Sequence, residues 1–567
     1  MQYSLYWRNK KARKIRNWLV LEDNEVSLDI NYWLHQQLNI VEVGDSIELE
    51  LMWEKLVSTL HEAIQKFIPT KMKSNQTKNY WVTNRIKNLS NKKARLYKAY
   101  IENPTNNNKE KFKRMQKLVK TECRRNKAEY YENKFNQPKQ KNFKKFYQVV
   151  GDILGKSKSQ MSITTPDAEE LNNFFVSVGP KLANVFKENQ NEPQFKEVEK
   201  SMFLDETTPD EVYEIITNLK NKKSTDYLDF SNYFIKKVNP SICSRLSDLI
   251  NASMRHELFP SILKTGKVRP VFKEGNQTIA SNYRPITLVP VFSKVYERIL
   301  YNRIISFLEN NKIISDNQYG FRKKRSTIDA VLLAIESIRE SLDKRTKPSC
   351  TMIDLTKAFD TVNHRRLIRK CEMSGLRGKI SNILATFLED RSQYVSLNDM
   401  KSALKPLNCG VPQGSVLGPL LFLIYINDLP QVVEKSQVIM FADDCYFLEN
   451  NSTSNEMADM NSVSKWLEEN KLTLNKTKTV RIQFNRVQYN SDGDPIYAKY
   501  LGIHIDPSLS FQIHIDKIIK RTARTTFVMY QLRFVFRREY LFRIYKVYLQ
   551  PIFQYGVLIY GTADKTK

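Results

Sequence analysis

Two adjacent carboxylates, Asp443 and Asp444, lie inside an apolar stretch that runs from Val438 to Leu448. The β-rich apolar residues on both sides of the pair predict a buried β-hairpin with the carboxylates within it. An isolated buried charge costs more than a fold can spare, so a carboxylate in such a place is paired, protonated or bound to metal. The pair therefore predicts a cation-binding site.

A third carboxylate, Asp354, has a matching setting about 90 residues upstream. The run Ser349–Leu355 predicts a short strand with Asp354 near its end. Oxygen ligands without a nearby His or Cys favour Mg²⁺, and two such ions can clamp the attacking and leaving oxygens of an in-line displacement. We expect the three carboxylates to share one site for two Mg²⁺ ions, with Mn²⁺ as an alternative. The other interpretation is that Asp354 caps a helix that begins near Lys357.

A glycine-rich segment, Cys409–Phe422, lies between the two predicted acidic strands. Only 16 of the 567 residues are Gly, yet Gly410, Gly414 and Gly418 fall within nine positions. Gly lets the backbone approach a ligand closely or take a positive φ. The apolar run Leu420–Ile426 predicts a helix that holds this loop rigidly. Alone, such a segment is usually only a turn, but its place between the acidic strands favours a ligand-binding loop.

These segments resemble motifs A, B and C of reverse transcriptases, and their residue identities resemble those of non-LTR retrotransposons. The three are Asp354–Asp360, Gly410–Ser415 and Phe441–Asp444. Four more blocks follow the order of that family: Asn282–Arg298 in the fingers, Gln318–Arg322 after it, Trp466–Thr479 as motif D and Tyr500–Asp506 as the primer-grip hairpin. The resemblance spans residues 205 to 560 and is to the jockey and chicken-repeat branch.

The resemblance implies an α/β (α+β) fold, a right-hand polymerase with fingers, an antiparallel palm sheet and a helical thumb. It also implies an RNA-directed DNA polymerase, which adds deoxynucleotides to a primer 3′-OH on an RNA template by two-metal phosphoryl transfer. The expected partners are an RNA template, a DNA primer or target DNA, and deoxynucleoside triphosphates.

The resemblance also implies a role for each catalytic residue. Asp354 and Asp443 would bridge both metals, with Asp444 more peripheral and the carbonyl oxygen of Leu355 as a further ligand. Lys478 would protonate the pyrophosphate leaving group.

Four further residues would bind the incoming nucleotide. Phe359 would lie under the sugar and exclude a ribose 2′-OH, whereas the alternative is that it is an ordinary core residue. Gln413 and Gly414 would line the nucleotide and template pocket, and Arg284 would hold the triphosphate.

The chain departs from the family pattern in one loop upstream of the fingers. The family has Lys-Ser-x-Gly-x-Asp-Gly, but this chain has Asp226 and Asp229 at the Gly positions and Leu228 at the Asp. If those glycines serve a turn with positive φ, each Asp costs about 1 kcal/mol. We expect a partial open reading frame without the family's endonuclease domain. A catalytically silent nucleic-acid-binding remnant is the main alternative, and a nuclease using the same carboxylates is a weaker one.

Charge is unevenly distributed along the chain. The formal net charge is +29 and the pI about 9.6, which favours a polyanionic partner. Residues 71–150 hold 23 Lys and Arg against 5 Glu, with interleaved aromatic residues and helical spacing. We expect two or three basic helices, broken near Asn103–Asn108, that bind RNA through phosphate contacts. The other interpretation is a solvated helical face.

We divide the chain into a basic, mainly helical N-terminal region (1–160), a linker with the first fingers helices (161–260), fingers and palm (261–507) and thumb (508–567). Apolar positions in the thumb, among them Phe527, Tyr530 and Phe542, recur at helical spacing and predict core packing. The six Cys have no paired spacing that would indicate a disulfide framework or a zinc site. Without a predicted membrane span, we expect an intracellular protein of nucleus and cytoplasm.

Overall fold

The computed structural model describes residues 13–38, 44–73, 81–135, 165–183, 197–397, 400–450, 456–484, 496–533 and 536–561. The third basic helix that the sequence allows, after residue 135, lies outside them. No helix in these ranges is long and apolar enough to cross a membrane.

The first elements pack into the main core of the protein. They are β1 (Arg13–Arg16), a 3₁₀ turn (Trp18–Glu22), α1 (Asn24–Gln37), α2 (Ser46–Phe67) and β2 (Thr70–Lys73). Asp23 and Asp45 accept backbone N–H bonds at the start of α1 and α2, as expected of N-cap residues. Trp53 of α2 is fully buried, and its Nε1 donates to Ser253 Oγ at 3.1 Å.

Two long basic helices follow, α3 (Asn84–Glu102) and α4 (Asn106–Phe135). They form a hairpin, called here the arm, and the predicted break at Asn103 is confirmed. The buried Glu122 Oε1 lies 3.1 Å from Arg85 Nε and 2.8 Å from Arg125 Nη2. The ring centroids of Tyr97 and Phe112 lie 5.1 Å apart. Tyr130, near the end of α4, packs against Phe536 and Tyr540 of the thumb.

The fingers combine helices with a mixed sheet. The helices are α5 (Ala168–Ala183), α6 (Pro209–Asn218), α7 (Asn232–Arg255), α8 (Val291–Asn310) and α9 (Thr327–Asp343). The strands are β3 (Thr265–Phe272), β4 (Tyr283–Leu288), β6 (Arg391–Leu397), β7 (Met400–Lys401) and β8 (Lys405–Leu407). Their order is β4-β3-β6-β7, with β8 also on β6, and β3 runs parallel to β6. Short 3₁₀ turns lie at Ser261–Leu263 and Ala280–Asn282.

The palm is an antiparallel four-stranded sheet, as the sequence predicted. Its order is β11-β5-β10-β9, formed by β5 (Ser349–Ile353), β9 (Gln437–Phe441), β10 (Asp444–Glu449) and β11 (Val480–Gln483). The flanking elements are α10 (Ala358–Thr361), α11 (His364–Met373), α12 (Lys379–Leu388), α13 (Gly418–Ile426), a 3₁₀ turn (Leu429–Val432), α14 (Glu456–Glu469) and the hairpin β12 (Ala498–Tyr500) and β13 (Ile503–Ile505).

The two faces of the palm sheet bury different cores, because side chains alternate along a strand. Met440, Cys445 and Phe447 join the large core, which includes α1, α2, α7 and α8. Ile439 and Tyr446 face a second core formed with α9 and the β12–β13 hairpin. Burial on both faces fixes the register and holds the strand ends that carry the carboxylates.

The thumb consists of α15 (Gln512–Leu532), α16 (Arg538–Ile544), a π-helical turn (Tyr545–Leu549), α17 (Gln550–Gln554) and α18 (Val557–Tyr560). The prediction that its aromatic stripe is core is wrong for Phe527, Tyr530 and Phe542, whose exposed fractions are 63%, 52% and 55%. The apolar spacing correctly predicted helices. Within the described residues, however, the thumb helices are packed against other elements on only part of their surface, and these three side chains stay exposed.

Candidate active site

The pairing register of β5 and β10 brings the three carboxylates to the same end of the palm sheet. Cys445 of β10 pairs with Ile353 of β5, so one step further Asp444 stands opposite Asp354 in the antiparallel ladder. Asp443 lies in the tight turn between β9 and β10, next to Ala442 in a left-handed conformation with φ of 56°. The predicted hairpin is thus confirmed.

A side chain from outside the sheet holds this turn. The buried Gln318 Oε1 accepts the backbone N–H of Ala442 at 2.9 Å and that of Gly320 at 2.8 Å. Met440 exchanges backbone bonds with Asn317 and Tyr319, both at 2.8 Å. A Cβ on Gly320 would lie 2.5 Å from Ala442 N, so Gly is required there. The block around Gln318 was recognised in the sequence, but its supporting role was not.

Asp354 is bound by the loop that follows α14. Its Oδ2 accepts the Nδ2–H of Asn475 at 2.9 Å and lies 3.4 Å from Lys478 Nζ, and its backbone oxygen accepts Asn475 N–H at 2.8 Å. The alternative helix-cap interpretation is wrong, because α10 begins after Lys357, which has φ of 52°, and lacks a side-chain cap.

The carboxylates interact electrostatically. Burial raises the pKa of Asp443, and the neighbouring Asp354 charge raises it further. Burial raises the pKa of Asp444 to about 6, reinforced by Asp443 and then Asp354. Lys478 opposes both shifts. Arg284 also opposes the shift of Asp443, and Lys499 that of Asp444. The pKa values of both carboxyl groups stay raised despite these cations, which is how a site that attracts further cations behaves.

The glycine loop packs tightly on the fingers sheet. Gly414 has φ of 120°, and a Cβ there would lie 2.4 Å from Thr287 O. Thr287 N–H donates to Gln413 O at 2.8 Å. The Gln413 side-chain amide donates to Asp360 Oδ1 at 2.8 Å. This bond fixes the Gln413 side chain.

Glu297 supports the same loop from behind, although sequence reasoning gave it no role of its own. It is fully buried and accepts the N–H groups of Val416 and Leu417 at 2.6 and 3.1 Å and the hydroxyl of Ser293 at 2.7 Å. A loss of this carboxylate would leave two loop amides without an acceptor.

One open cleft, of about 670 Å³, gathers eight of the nine predicted site residues. They are Arg284, Asp354, Leu355, Phe359, Gln413, Gly414, Asp443 and Lys478. Asp444 lies beside the cleft, on the side of Lys499 and Tyr500, which matches its peripheral assignment. Lys273 and Lys357 add positive charge to the cleft wall, as suits a triphosphate.

Phe359 is partly buried and lines the cleft. Its ring stacks on Phe422 with centroids 4.4 Å apart and meets Phe321 edge-on at 6.4 Å. One face of the ring therefore packs inward, as the core interpretation predicts, while another borders the cleft.

The donor set suits a hard cation. No group of three or more His, Cys, Asp and Glu side chains in the described ranges is arranged as a ready-made metal site. The cleft instead offers the Asp354 and Asp443 carboxylates and the Leu355 backbone. In the antiparallel bridge between Leu355 and Leu474, the hydrogen bonds are made by the neighbouring residues, so this bridge does not use the Leu355 carbonyl. Proteins commonly bind Mg²⁺ through one or two carboxylates, with water and substrate phosphates completing its shell.

Strand-borne carboxylates, a glycine loop on the fingers sheet and a basic cleft wall together form the arrangement that the sequence motifs led us to expect of a polymerase palm. Residues 267–505 match the reverse transcriptase (RNA-dependent DNA polymerase) family. This part of the chain is therefore similar to reverse transcriptase domains, and the relatives confirm the predicted resemblance to the non-LTR retrotransposon type.

Three of those relatives come from fruit-fly transposable elements. The probable RNA-directed DNA polymerase from transposon BS of Drosophila melanogaster is 29% identical over 63% of this chain and 42% of that protein. That from transposon X-element of Drosophila melanogaster is 29% identical over 68% and 45%. The RNA-directed DNA polymerase from mobile element jockey of Drosophila funebris is 28% identical over 64% and 42%. The chain thus spans less than half the length of these relatives.

Among solved structures, apo telomerase from Candida Tropicalis has a TM-score of 0.34 and 13% identity over 54% of this chain and 60% of that one. A similarity of this size supports no conclusion about function.

Proposed function

We propose that this chain is an RNA-directed DNA polymerase that extends a DNA primer on an RNA template. The observation that carries the proposal is the convergence of Asp354, Asp443, Gln413, Gly414 and Arg284 on one cleft. Similarity to RNA-directed DNA polymerases of transposable elements supports the same activity.

The proposed chemistry is in-line attack of the primer 3′-oxygen on the α-phosphate of a deoxynucleotide, with pyrophosphate as the leaving group. Bound Mg²⁺ ions would supply charge stabilisation at the attacking and leaving oxygens. Asp354, Asp443 and the Leu355 carbonyl would hold them, with Asp444 contributing from the side.

Five residues would act directly on the nucleotide or its base pair. Arg284 presents its guanidinium to the triphosphate, and the Phe359 ring fills the space under the sugar. Lys478, now 3.4 Å from Asp354, lies close enough to the cleft to give its proton to pyrophosphate. Gln413, anchored by Asp360, and the exposed backbone at Gly414 would face the base pair.

The arm would hold RNA by charge. Residues 81–135 contain 16 Lys and Arg against 5 Glu, and both helices are largely exposed. Exposed faces of Tyr97 and Tyr100 would add base stacking, worth about 1–3 kcal/mol per base.

Primer extension tests the proposal. Purified protein with Mg²⁺, an RNA template, a DNA primer and deoxynucleotides should yield extended primer, and Asp443→Asn should abolish it while RNA affinity and the melting temperature are preserved. Lys379→Gln, an exposed change outside the cleft lining, is the control. Extension by Asp443→Asn at the control rate would refute the assignment.

The two alternatives predict other outcomes in the same experiment. Binding of RNA without extension by the unaltered chain indicates the silent remnant. Metal-dependent shortening of the primer or template without extension indicates the nuclease.

A further inference from the structure

An exposed aromatic ring stands beside Phe359 in the cleft. Phe321 lines the cleft, and its ring meets that of Phe359 edge-on, with centroids 6.4 Å apart and ring planes at 87°. The exposed fraction of Phe321 is 49%. Among the described residues, neither of the two cores that border the palm sheet includes it. Core packing therefore does not explain why a large ring stands here.

The backbone of Phe321 adopts a conformation that a bulky residue rarely takes. Its φ is 57°, in the left-handed region, where the Cβ of an L-residue crowds the following carbonyl oxygen. Such strain persists only where the surrounding structure enforces it, and it clusters at functional sites. The chain thus has a Phe at a position where Gly would be free of this strain.

The residues on both sides of Phe321 enforce its conformation. Before it, Gly320 lies so close to the turn at Ala442 that a Cβ on Gly320 would be 2.5 Å from Ala442 N. After it, the side chain of Arg322 is 8% exposed and donates to both carboxylate oxygens of Glu309, at 2.9 and 2.7 Å. The strained residue between these two anchors is thereby held at the cleft.

The position of the ring relates it to the end of the primer. In the proposed reaction, the primer 3′-oxygen attacks at metals held by Asp354 and Asp443, and the sugar of the incoming nucleotide lies over Phe359. The terminal nucleotide of the primer is therefore next to the turn that carries Asp443. Because Phe321 adjoins this turn through Gly320 and adjoins Phe359 through its ring, it borders the sugar that precedes the incoming one.

An apolar ring beside a sugar distinguishes ribose from deoxyribose. A ribose carries a 2′-OH, the group by which a protein can tell RNA from DNA at a given position. A hydroxyl pressed against an aromatic ring loses its water without gaining a hydrogen bond in exchange, which is unfavourable. A deoxyribose carries no such hydroxyl, so it packs against the ring without this cost.

We propose that Phe321 is a specificity-determining residue, which borders the sugar of the terminal primer nucleotide and disfavours a ribonucleotide there. The inference rests on the proposed polymerase function. Phe359 acts on the nucleotide to be added, whereas Phe321 acts on the nucleotide to which it is joined. The protein therefore prefers a DNA primer end to an RNA primer end.

Two hybrids on the same RNA template test the proposal. Both carry the same DNA primer, but in one of them the last primer nucleotide is a ribonucleotide. The affinity for each hybrid is measured without nucleotide, and the efficiency of adding one deoxynucleotide is measured separately. The unaltered protein should favour the deoxy-ended primer by about 10-fold, because an apolar wall rejects an added hydroxyl by at most about 100-fold and this ring is half exposed.

The variants remove the ring without adding backbone strain. Phe321→Gly should bring the ratio between the two primers close to one, and Phe321→Asn, which also tolerates a positive φ, should do the same. The matched control is Lys324→Gly. Lys324 follows in the same loop with φ of 61°, is exposed and is outside the cleft lining, so its replacement should relieve similar strain and keep the ratio. Melting temperatures will show that each variant is folded.

The outcomes separate Phe321 from Phe359 and from the polymerase assignment. Equal treatment of both primers by the unaltered protein, or an unchanged ratio in the Phe321 variants, overturns the proposal even if primer extension succeeds. A Phe321 variant that accepts ribonucleoside triphosphates but keeps the primer ratio also overturns it, because the ring then only holds Phe359. If neither primer is extended but the affinity ratio follows the Phe321 variants, the polymerase assignment fails and the primer-end contact stands.

Discussion

Replacing Asp444 by Asn should stabilise the protein in buffer that contains a metal chelator. Asp444 is partly buried beside Asp443 and Asp354, and its pKa is raised to about 6 by burial and then by these two charges. A raised carboxyl pKa means that the folded state holds its proton more tightly than the unfolded chain does. Folding stability is therefore lost as pH rises from the unfolded pKa, 3.8, to about 6.

The magnitude follows from the size of the shift. At 1.36 kcal/mol per pKa unit, the charge of Asp444 costs about 3 kcal/mol near pH 7.5 and only about 0.6 kcal/mol near pH 4. Asn has a similar shape and no charge, so the variant should escape most of this cost. The gain in the free energy of unfolding is at most about 3 kcal/mol near neutrality, because burying the Asn amide also carries a desolvation cost.

Urea unfolding of both proteins at several pH values, in chelator and again in excess Mg²⁺, measures this difference. The gain should be large near neutrality and nearly absent near pH 4. Mg²⁺ should stabilise the unaltered protein more than the variant, because ligand binding favours the folded state. A variant that is less stable than the unaltered protein at neutral pH without metal would refute the reasoning.

Three further predictions concern other parts of the site. Phe359→Val should increase ribonucleotide incorporation in single-nucleotide extension assays, because the ring no longer fills the space under the sugar; unchanged discrimination would return Phe359 to a core role. Gln318→Leu should lower the unfolding free energy by about 1–3 kcal/mol for each of the two buried amides it leaves without an acceptor, together with extension activity, whereas an unaffected enzyme would show that the turn at Ala442 holds by itself. Changing the exposed arm residues Lys92, Lys111, Lys113 and Lys117 to Gln should flatten the salt slope for unrelated single-stranded RNAs by up to about 2.8, measured by fluorescence anisotropy; an unchanged slope would make the arm a solvated face.

The sequence was most informative where local pattern and chemistry agree. The strand before Asp354, the hairpin at Asp443, the helix after Gly418 and two basic helices with a break at Asn103 were all predicted and are present. Each combines apolar periodicity with a residue type that a single conformation requires, so that local propensity and burial indicate the same element.

Contacts between distant segments were not predictable in this way. The Gln318 support for Ala442, the Glu297 support for Val416 and the Asn475 bond to Asp354 each join segments that no periodicity relates. The helix-cap alternative for Asp354 failed for the same reason, because its partner lies about 120 residues downstream. The loop at Asp226 shows both sides. Asp229 takes a positive φ of 57°, as the glycine pattern implied, but Asp226 does not, so the expected strain at that position is wrong. Asp226 instead accepts two backbone amides, a role that became visible only in the fold.

The contact between Tyr130 and the thumb residues Phe536 and Tyr540 has a consequence for how the chain is made. About 410 residues separate the two sides, so at about 5–20 residues per second the arm is synthesised roughly 20–80 s before its partner. Throughout that interval Tyr130 and the adjoining helix face have no native surface to cover them, while a dense cluster of positive charge is already exposed. If the arm binds RNA as proposed, a nascent chain in this state would bind RNA before its palm and thumb are complete, and the messenger that encodes it would be the RNA at hand.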